Sequence, residues 1–287
     1  MLVVVGYVIV IFCVLGGFAF MGGHLITLWQ PVEILIIGGG AIGAFVVSNP
    51  PTVLKAAGRA MAGAFKPSKI TKAFYMSLMA LMFEILTKVR KEGLMSIEGD
   101  VEDPEQSPLF QKYPEVLHDH HIVEFMTDYL RLMVSGNLNP MEIENLMDEE
   151  LETHHQEAHA PQAAVQNMSD GLPAFGIVAA VMGVVHVMGS VGQVSNAQLG
   201  MMIAAALVGT FLGILLAYGF VGPLANVINH KISESSKPFE CVKTTLLASL
   251  NGYSPALAVE FGRKVLYSTE RPSFSELEEH VKSTKGK

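Results

Sequence analysis

Two long stretches of this 287-residue chain carry no charge, and they constrain its fold more than any other feature. Residues 1–32 contain no Lys, Arg, Asp or Glu, and after Glu33 the next charge is Lys55. A second stretch without these residues runs from Gly171 to His230, where His186, Tyr218 and His230 are the titratable side chains. One membrane span takes about 20 apolar residues, so each stretch is long enough for two. The first divides into 2–20 and 32–47 around the hinge "MGGHLITLWQP", the second into 172–189 and 199–221 around "GSVGQVSNAQ". The pattern predicts an all-α integral membrane protein with four transmembrane helices in two hairpins and a helical cytoplasmic domain. Charged residues make up 16% of the chain, against about 25% in soluble domains, so a soluble class is disfavoured. No basic segment precedes the first apolar run and a second span follows at once, so that run reads as a retained helix rather than a cleaved signal.

The basic residues orient the spans. Ten of the 19 Lys and Arg lie between Lys55 and Arg131, nine lie between Lys231 and Lys287, and the hinges have none. The positive-inside rule therefore places the large loop, the tail and both termini in the cytoplasm. This predicts a multi-pass membrane protein in four parts: 1–50 (helices 1 and 2), 51–168 (cytoplasmic domain), 169–229 (helices 3 and 4) and 230–287 (cytoplasmic tail). Loop 51–168 holds 18 acidic and 10 basic residues, and tail 231–287 seven acidic and nine basic, which favours contact between them. Cys13 falls in a span and Cys241 in the tail, so no disulfide framework is expected.

"EILIIGGGAIGAF" (33–45) has the Gly-x-Gly-x-x-Gly spacing that cradles a dinucleotide pyrophosphate. That fold needs an acid about 20 residues further on for the ribose. Here the first acid after Gly43 is Glu84, so Gly38, Gly39, Gly40 and Gly43 read as a helix-packing face instead. Gly209 and Gly213 give a similar Gly-x-x-x-Gly signal on the fourth span.

In the polar segments, apolar residues Ile70, Phe74, Leu78, Met82, Ile85 and Val89 predict a helix from Lys69 to about Lys91, with Gly93 as its C-cap. A Pro-containing loop follows, then a helix over 118–134 broken at Ser135-Gly136-Asn137, then an acidic helix from near Pro140. The tail should hold helices over 243–250 and 255–267, and a last one started by the capping-box spacing of "SFSE" at 273–276.

Candidate chemistry is sparse. His155 and His159 share a helical face in "THHQEAH", but the order is not that of a zinc protease and no second ligand cluster accompanies it. There is no nucleophile elbow, and no cofactor, enzymatic activity or nucleic-acid partner is predicted. An ion path normally needs an ionisable group in the bilayer. Glu33 and Asp170 read as interfacial, at the ends of spans, so the ion-carrying carboxylate is expected from another chain. Thr210 lies at mid-depth on the fourth span, where its hydroxyl either bonds back to its own helix or faces a pore. Pro173 sits near the start of the third span and Pro223 near the end of the fourth. They read either as helix ends or as flexible points between membrane and cytoplasmic helices.

Longer motifs carry a resemblance. "LPAFGIVAAVMGVVH" (172–186), "LVGTFLGILLAYGF" (207–220), "MDEE" (147–150), "YLRLMVSGN" (129–137), "LNGYSPALAVEFGRK" (250–264) and "ERPSF" (270–274) resemble the MotA family of flagellar motor stator subunits, a likeness running to about residue 280. The resemblance implies a ring, a pentamer, around two copies of a single-span partner, MotB, whose membrane aspartate binds the ion. It implies conversion of ion flow into torque on the rotor protein FliG. It further implies that Arg90 and Glu98 engage the rotor, that Pro173 and Pro223 couple ion passage to movement, and that Asp170, Ala180 and Thr210 belong to the channel. Ala180 stands where sodium-driven relatives carry threonine, which implies protons. The alternative within the same class is an ExbB/TolQ-like proton channel energising outer-membrane processes.

Overall fold

The computed structural model describes residues 2–136 and 139–284, and among them every regular element is helical. Asn137, the end of the predicted break after the 118–134 helix, lies outside the described residues. The chain forms two compact units, one made of residues up to Pro67 and Glu157–Lys231, the other of Ser68–Gln156 and residues from Ile232 on.

The first unit holds α1 (Leu2–Phe20), α2 (Pro31–Ser48), α3 (Pro51–Ala64), the later part of α9 (Pro140–Gly189), α10 (Asn196–Ile214), a π-helical segment (Leu215–Val221) and the beginning of α11 (Gly222–Leu250). Among the described residues four helices are long and apolar enough to cross a membrane. α1 is apolar on every side and buries none of its residues, as expected of a helix whose solvent is lipid or another chain. α2 opens with Pro31, whose missing N–H costs nothing at a first helical position. It buries Glu33, Ile37 and Ala41, spaced four apart on one face. Ser195 and Gln198 form a capping box that starts α10.

α9 and α10 touch backbone to backbone. A Cβ on Gly176 would lie 2.9 Å from the Gly209 carbonyl oxygen, and one on Gly213 would lie 2.8 Å from that of Leu172. The Gly-x-x-x-Gly of the fourth span thus packs on the third. In "GGGAIG" only Gly40 takes such a role within the unit, with a Cβ position 2.5 Å from the Phe175 ring, while Gly38 and Gly43 meet nothing. The amphipathic α3 belongs to this unit and was not foreseen in the sequence. Lys231 closes its C-terminus by donating to the carbonyls of Gly63 (2.6 Å) and Lys66.

Pro173 and Pro223 do not end helices. α9 runs 50 residues through Pro161 and Pro173, so the acidic helix and the third span are one element. Pro223 is the second residue of α11, which continues to Leu250. Inside a membrane the alternatives to a helix leave polar backbone exposed to hydrocarbon, so a proline is absorbed by local adjustment and by neighbouring helices.

The second unit is organised by α4 (Lys72–Glu92). Thr71 caps its start by accepting the Phe74 N–H at 3.3 Å, and Gly93, at φ +87°, closes its end in a conformation suited to glycine. Phe74, Leu78, Met82 and Ile85 are buried as the period predicted, joined by Tyr75, Met79, Leu81 and Leu86 because α4 is covered on several sides. α8 (His120–Ser135), α12 (Pro255–Lys264) and α13 (Phe274–Thr284) share its core, with Met147 of α9 and Leu246 of α11. The short α5 (Glu98–Glu102), α6 (Pro108–Gln111) and α7 (Pro114–Leu117) shape the Pro-containing loop. Loop and tail do meet: Lys72 pairs with Glu276 at 2.8 Å, and Lys243 pairs with Asp148. Ser273 and Glu276 make the predicted capping box, the Glu276 carboxylate accepting the Ser273 N–H at 2.6 Å.

α12 stops at Lys264, earlier than the predicted 267, because arginines take over the carbonyls beyond it. The buried Arg263 donates to the Pro272 carbonyl at 2.8 Å and twice to Glu260, at 2.5 and 2.6 Å. Arg271 donates to the Leu266 carbonyl at 2.7 Å. The Arg263 hydrogen bonds hold the Glu260 carboxyl below its usual range, against the opposing effect of its burial. The motifs "FGRK" and "ERPSF" are therefore two halves of one tie.

Candidate ion path and rotor-facing residues

Glu33 is the anomaly of the first unit. It is 8% exposed, and its Oε2 atom is buried without a hydrogen-bond partner. A Cβ on Gly209 would fall 2.8 Å from Oε2, and one on Gly183 would fall 3.7 Å from Oε1. The carboxyl thus lies in a notch made by small residues of α9 and α10, with Ala179 and Ala206 close by. Interfacial placement, the reading of the sequence, is corrected: the side chain points along the same buried stripe as Ile37 and Ala41. Its spacing from Ile37 and Ala41 was the available signal. A buried acid among apolar helices is costly and generally marks a functional position.

The predicted channel residues Asp170, Ala180 and Thr210 stand in different relations to this notch. The Ala180 backbone nitrogen lies 3.2 Å from the Gly209 Cβ position, which places Ala180 at the α9–α10 contact beside Glu33. Thr210 follows Gly209 and is half-buried; among the described residues its hydroxyl has no hydrogen-bond partner, so it does not bond back to its helix. Asp170 is exposed and accepts a 2.8 Å hydrogen bond from Gln166 one turn earlier on α9. It lies ten residues before Ala180 on the same helix and is not part of the notch. Pro173 is half-buried within α9, and Pro223 is exposed at the start of α11.

In the second unit, Arg90 is in the last turn of α4, where a cation suits the helix dipole, and Glu98 is in the first turn of α5, where an anion does. Gly93 and the 3-10 turn Leu94–Ile97 connect them. Both side chains are exposed, and among the described residues no ion pair joins them or holds either. Their neighbours behave differently. Lys88 pairs with Asp100 at 2.7 Å, and Asp100 also accepts the Ser107 hydroxyl at 2.6 Å, fixing the turn that presents Glu98. Arg131 ties the far end of α5 through the Val101 carbonyl at 2.9 Å and Glu102 at 3.3 Å. The histidine cluster is used in packing: His154 stacks on Phe239 at 4.8 Å between ring centres, and His155 Nδ1 is 3.4 Å from the Ser236 hydroxyl.

Four apolar spans, a glycine-lined contact between two of them and an acid sealed into it define a channel-type membrane subunit. Residues 118–241 match the MotA/TolQ/ExbB proton channel family, and residues 4–93 match the Motility protein A N-terminal family. The chain is 53% identical to motility protein A of Salmonella typhimurium over 285 residues, covering 99% of this chain and 96% of that protein. It is 37% identical over 281 residues to the chemotaxis protein LafT of Vibrio parahaemolyticus, covering 98% of each. The chain belongs to the motility protein A family. Among solved structures it resembles C. jejuni MotAB (TM-score 0.77, 18% identity) and the flagellar MotAB stator complex of Bacillus subtilis (TM-score 0.75, 24% identity). Each likeness covers 94% of this chain and 98% of the other.

Proposed function

We propose that the chain is the stator subunit of a bacterial flagellar motor, forming with a MotB-like single-span partner an ion channel that turns ion-motive force into torque. The observation that carries this is identity of 53% to a motility protein A sustained over 99% of the chain and 96% of that protein. The protein lies in the inner membrane with both termini in the cytoplasm. Five copies ring two partner spans, whose aspartate supplies the principal ion site, and the work is conductive and mechanical rather than catalytic. Protons are the ion, in keeping with the small Ala180 beside the Glu33 notch.

Arg90 and Glu98 engage FliG, which fits two exposed, opposite and unpaired charges presented by helix ends. Pro173 and Pro223 couple ion passage to movement. Both lie within continuing helices, where a missing N–H weakens the backbone ladder without ending it. Asp170, exposed on α9, collects ions at the inner mouth, while Ala180 and Thr210 border the path.

The test is rescue of motility in cells lacking their own stator subunit, by this chain and its cognate partner, with sodium varied at a fixed proton gradient. Swimming independent of sodium is expected. Swimming that requires sodium overturns the ion. An assembled complex that never turns a compatible rotor, yet restores outer-membrane uptake, favours the ExbB/TolQ-like alternative.

A further inference from the structure

The span that begins as α10 does not reach α11 in one helical register. In the π-helical Leu215–Val221 segment the Gly222 N–H donates to the Ala217 carbonyl, five residues back, where an α-helix would send it to Tyr218. Pro223 follows with no N–H to donate in either register. Two hydroxyls from other helices converge on the segment. Tyr7 of α1 donates to the Phe220 carbonyl at 2.9 Å, and the buried Ser169 of α9 donates to the Ala217 carbonyl at 3.0 Å. The Ala217 oxygen therefore accepts from both Gly222 and Ser169. Gly222 makes room for this, since a Cβ there would lie 3.0 Å from that oxygen and 3.2 Å from the Ser169 hydroxyl. The Tyr7 ring is aimed by contacts with Phe220 (5.1 Å) and Phe65 (6.3 Å). In hydrocarbon a hydroxyl needs a partner, and both hydroxyls find theirs on carbonyls placed as the π register places them, so each favours that register.

We propose that Leu215–Val221 is a two-state segment, π or α, and that Tyr7 and Ser169 are positioning residues holding it in the π form during one stage of the ion cycle. This rests on the stator reading above. Conversion to α takes up one residue, turning the start of α11 by about 100° and moving it about 1.5 Å along its axis. Pro223 favours such an exchange because no backbone bond from that position is broken by it. The two hydroxyls stand on α1 and α9, so a small displacement of either helix as an ion binds releases a carbonyl and shifts the balance.

The test uses the full chain assembled with its partner in lipid. Solid-state NMR reads the dipolar coupling between a labelled Ala217 carbonyl carbon and the labelled Gly222 nitrogen, a pair joined by a hydrogen bond only in the π register. Tyr7→Phe keeps the ring and removes the hydroxyl; Ser169→Ala removes the other. Each is expected to lower the π-to-α ratio about five-fold. In cells each lowers torque at matched stator number while proton uptake by vesicles persists, and Ser169→Thr, which keeps a hydroxyl, restores torque. A π coupling unchanged in the double variant overturns the proposal, and so does a switch to α with undiminished torque. If the double variant does not assemble, Tyr7→Phe alone decides on the same two readings. A wild-type complex that turns no rotor overturns the stator reading instead, since the register is read on the purified complex without one.

Discussion

Replacing Gly213 with alanine tests the α9–α10 contact on which the candidate ion path is built. The added Cβ would lie 2.8 Å from the Leu172 carbonyl oxygen and 2.9 Å from the Gly176 Cα. Both are backbone atoms, so no rotamer change relieves the overlap, and the two helices must part by roughly half an ångström or more to restore ordinary contact. Overpacking of this kind costs about 1–3 kcal/mol. Alanine recovers about 1 kcal/mol of helix propensity, leaving a net loss of up to roughly 2 kcal/mol, centred on about 1 kcal/mol. The central value corresponds to a fall of about five-fold in the ratio of folded to unfolded chain. Parting the helices also opens the notch, because Gly209, one turn before, touches both Ala179 and the Glu33 carboxyl. The assay is reversible unfolding of the purified chain in mixed micelles, read by near-UV circular dichroism, with Gly43→Ala alongside. Gly43 has nothing within 4 Å of its Cβ position, so its substitution should gain the propensity and lose nothing. Equal stability of the two variants, or a more stable Gly213→Ala, would refute the reasoning, since propensity would then outweigh a contact too loose to matter.

Three further outcomes are expected. Glu33→Gln keeps the shape of the side chain in its notch and removes the titratable group; the chain should assemble with its partner, while proton uptake by vesicles and swimming speed drop several-fold, and undiminished uptake would make Glu33 a packing residue. Charge reversal at Arg90 and Glu98 together should leave the circular dichroism and melting of the chain unchanged, both residues being exposed and unpaired, yet abolish recruitment of fluorescent stators to motors. The Glu260 carboxyl sits below its ordinary range because Arg263 donates to it, so the stability it lends is present above the unfolded value of about 4.3 and is lost as pH falls through the lower folded value. Amide exchange over 265–273 should accelerate in that acid window in wild type, and already at pH 7 in Glu260→Gln, where about 3 kcal/mol is lost by leaving buried Arg263 without its counter-charge.

The spans were legible because lipid selects on charge alone: the gaps at 1–32 and 171–230 survive any detail of packing. α4 was legible for a different reason, its period of apolar residues and its capping glycine both being local signals. Helix continuity was not. Pro173 and Pro223 look like stops in a sequence because the cost of proline in water is well defined, whereas in the membrane the competing state is worse. The same blindness hid α3, whose 14 residues are pinned by Lys231 from the other end of the chain.

Glu33 shows where the limit lies within the site. Its position at the head of an apolar helix fits an interfacial acid, and only its spacing from Ile37 and Ala41 puts it on the buried stripe. Whether that stripe is buried depends on which helix covers it, and this is decided by Gly183 and Gly209, 150 and 176 residues further along the chain. Neither glycine carries information about Glu33 until the close approach of α9 and α10 fixes where the notch falls. The same approach aligns Gly176 with Gly213, so the contact that holds the two spans together also determines where the acid can sit. A change that loosens the contact must therefore disturb the Glu33 notch as well, so the packing of the two spans and the placement of the acid cannot be varied independently at these positions.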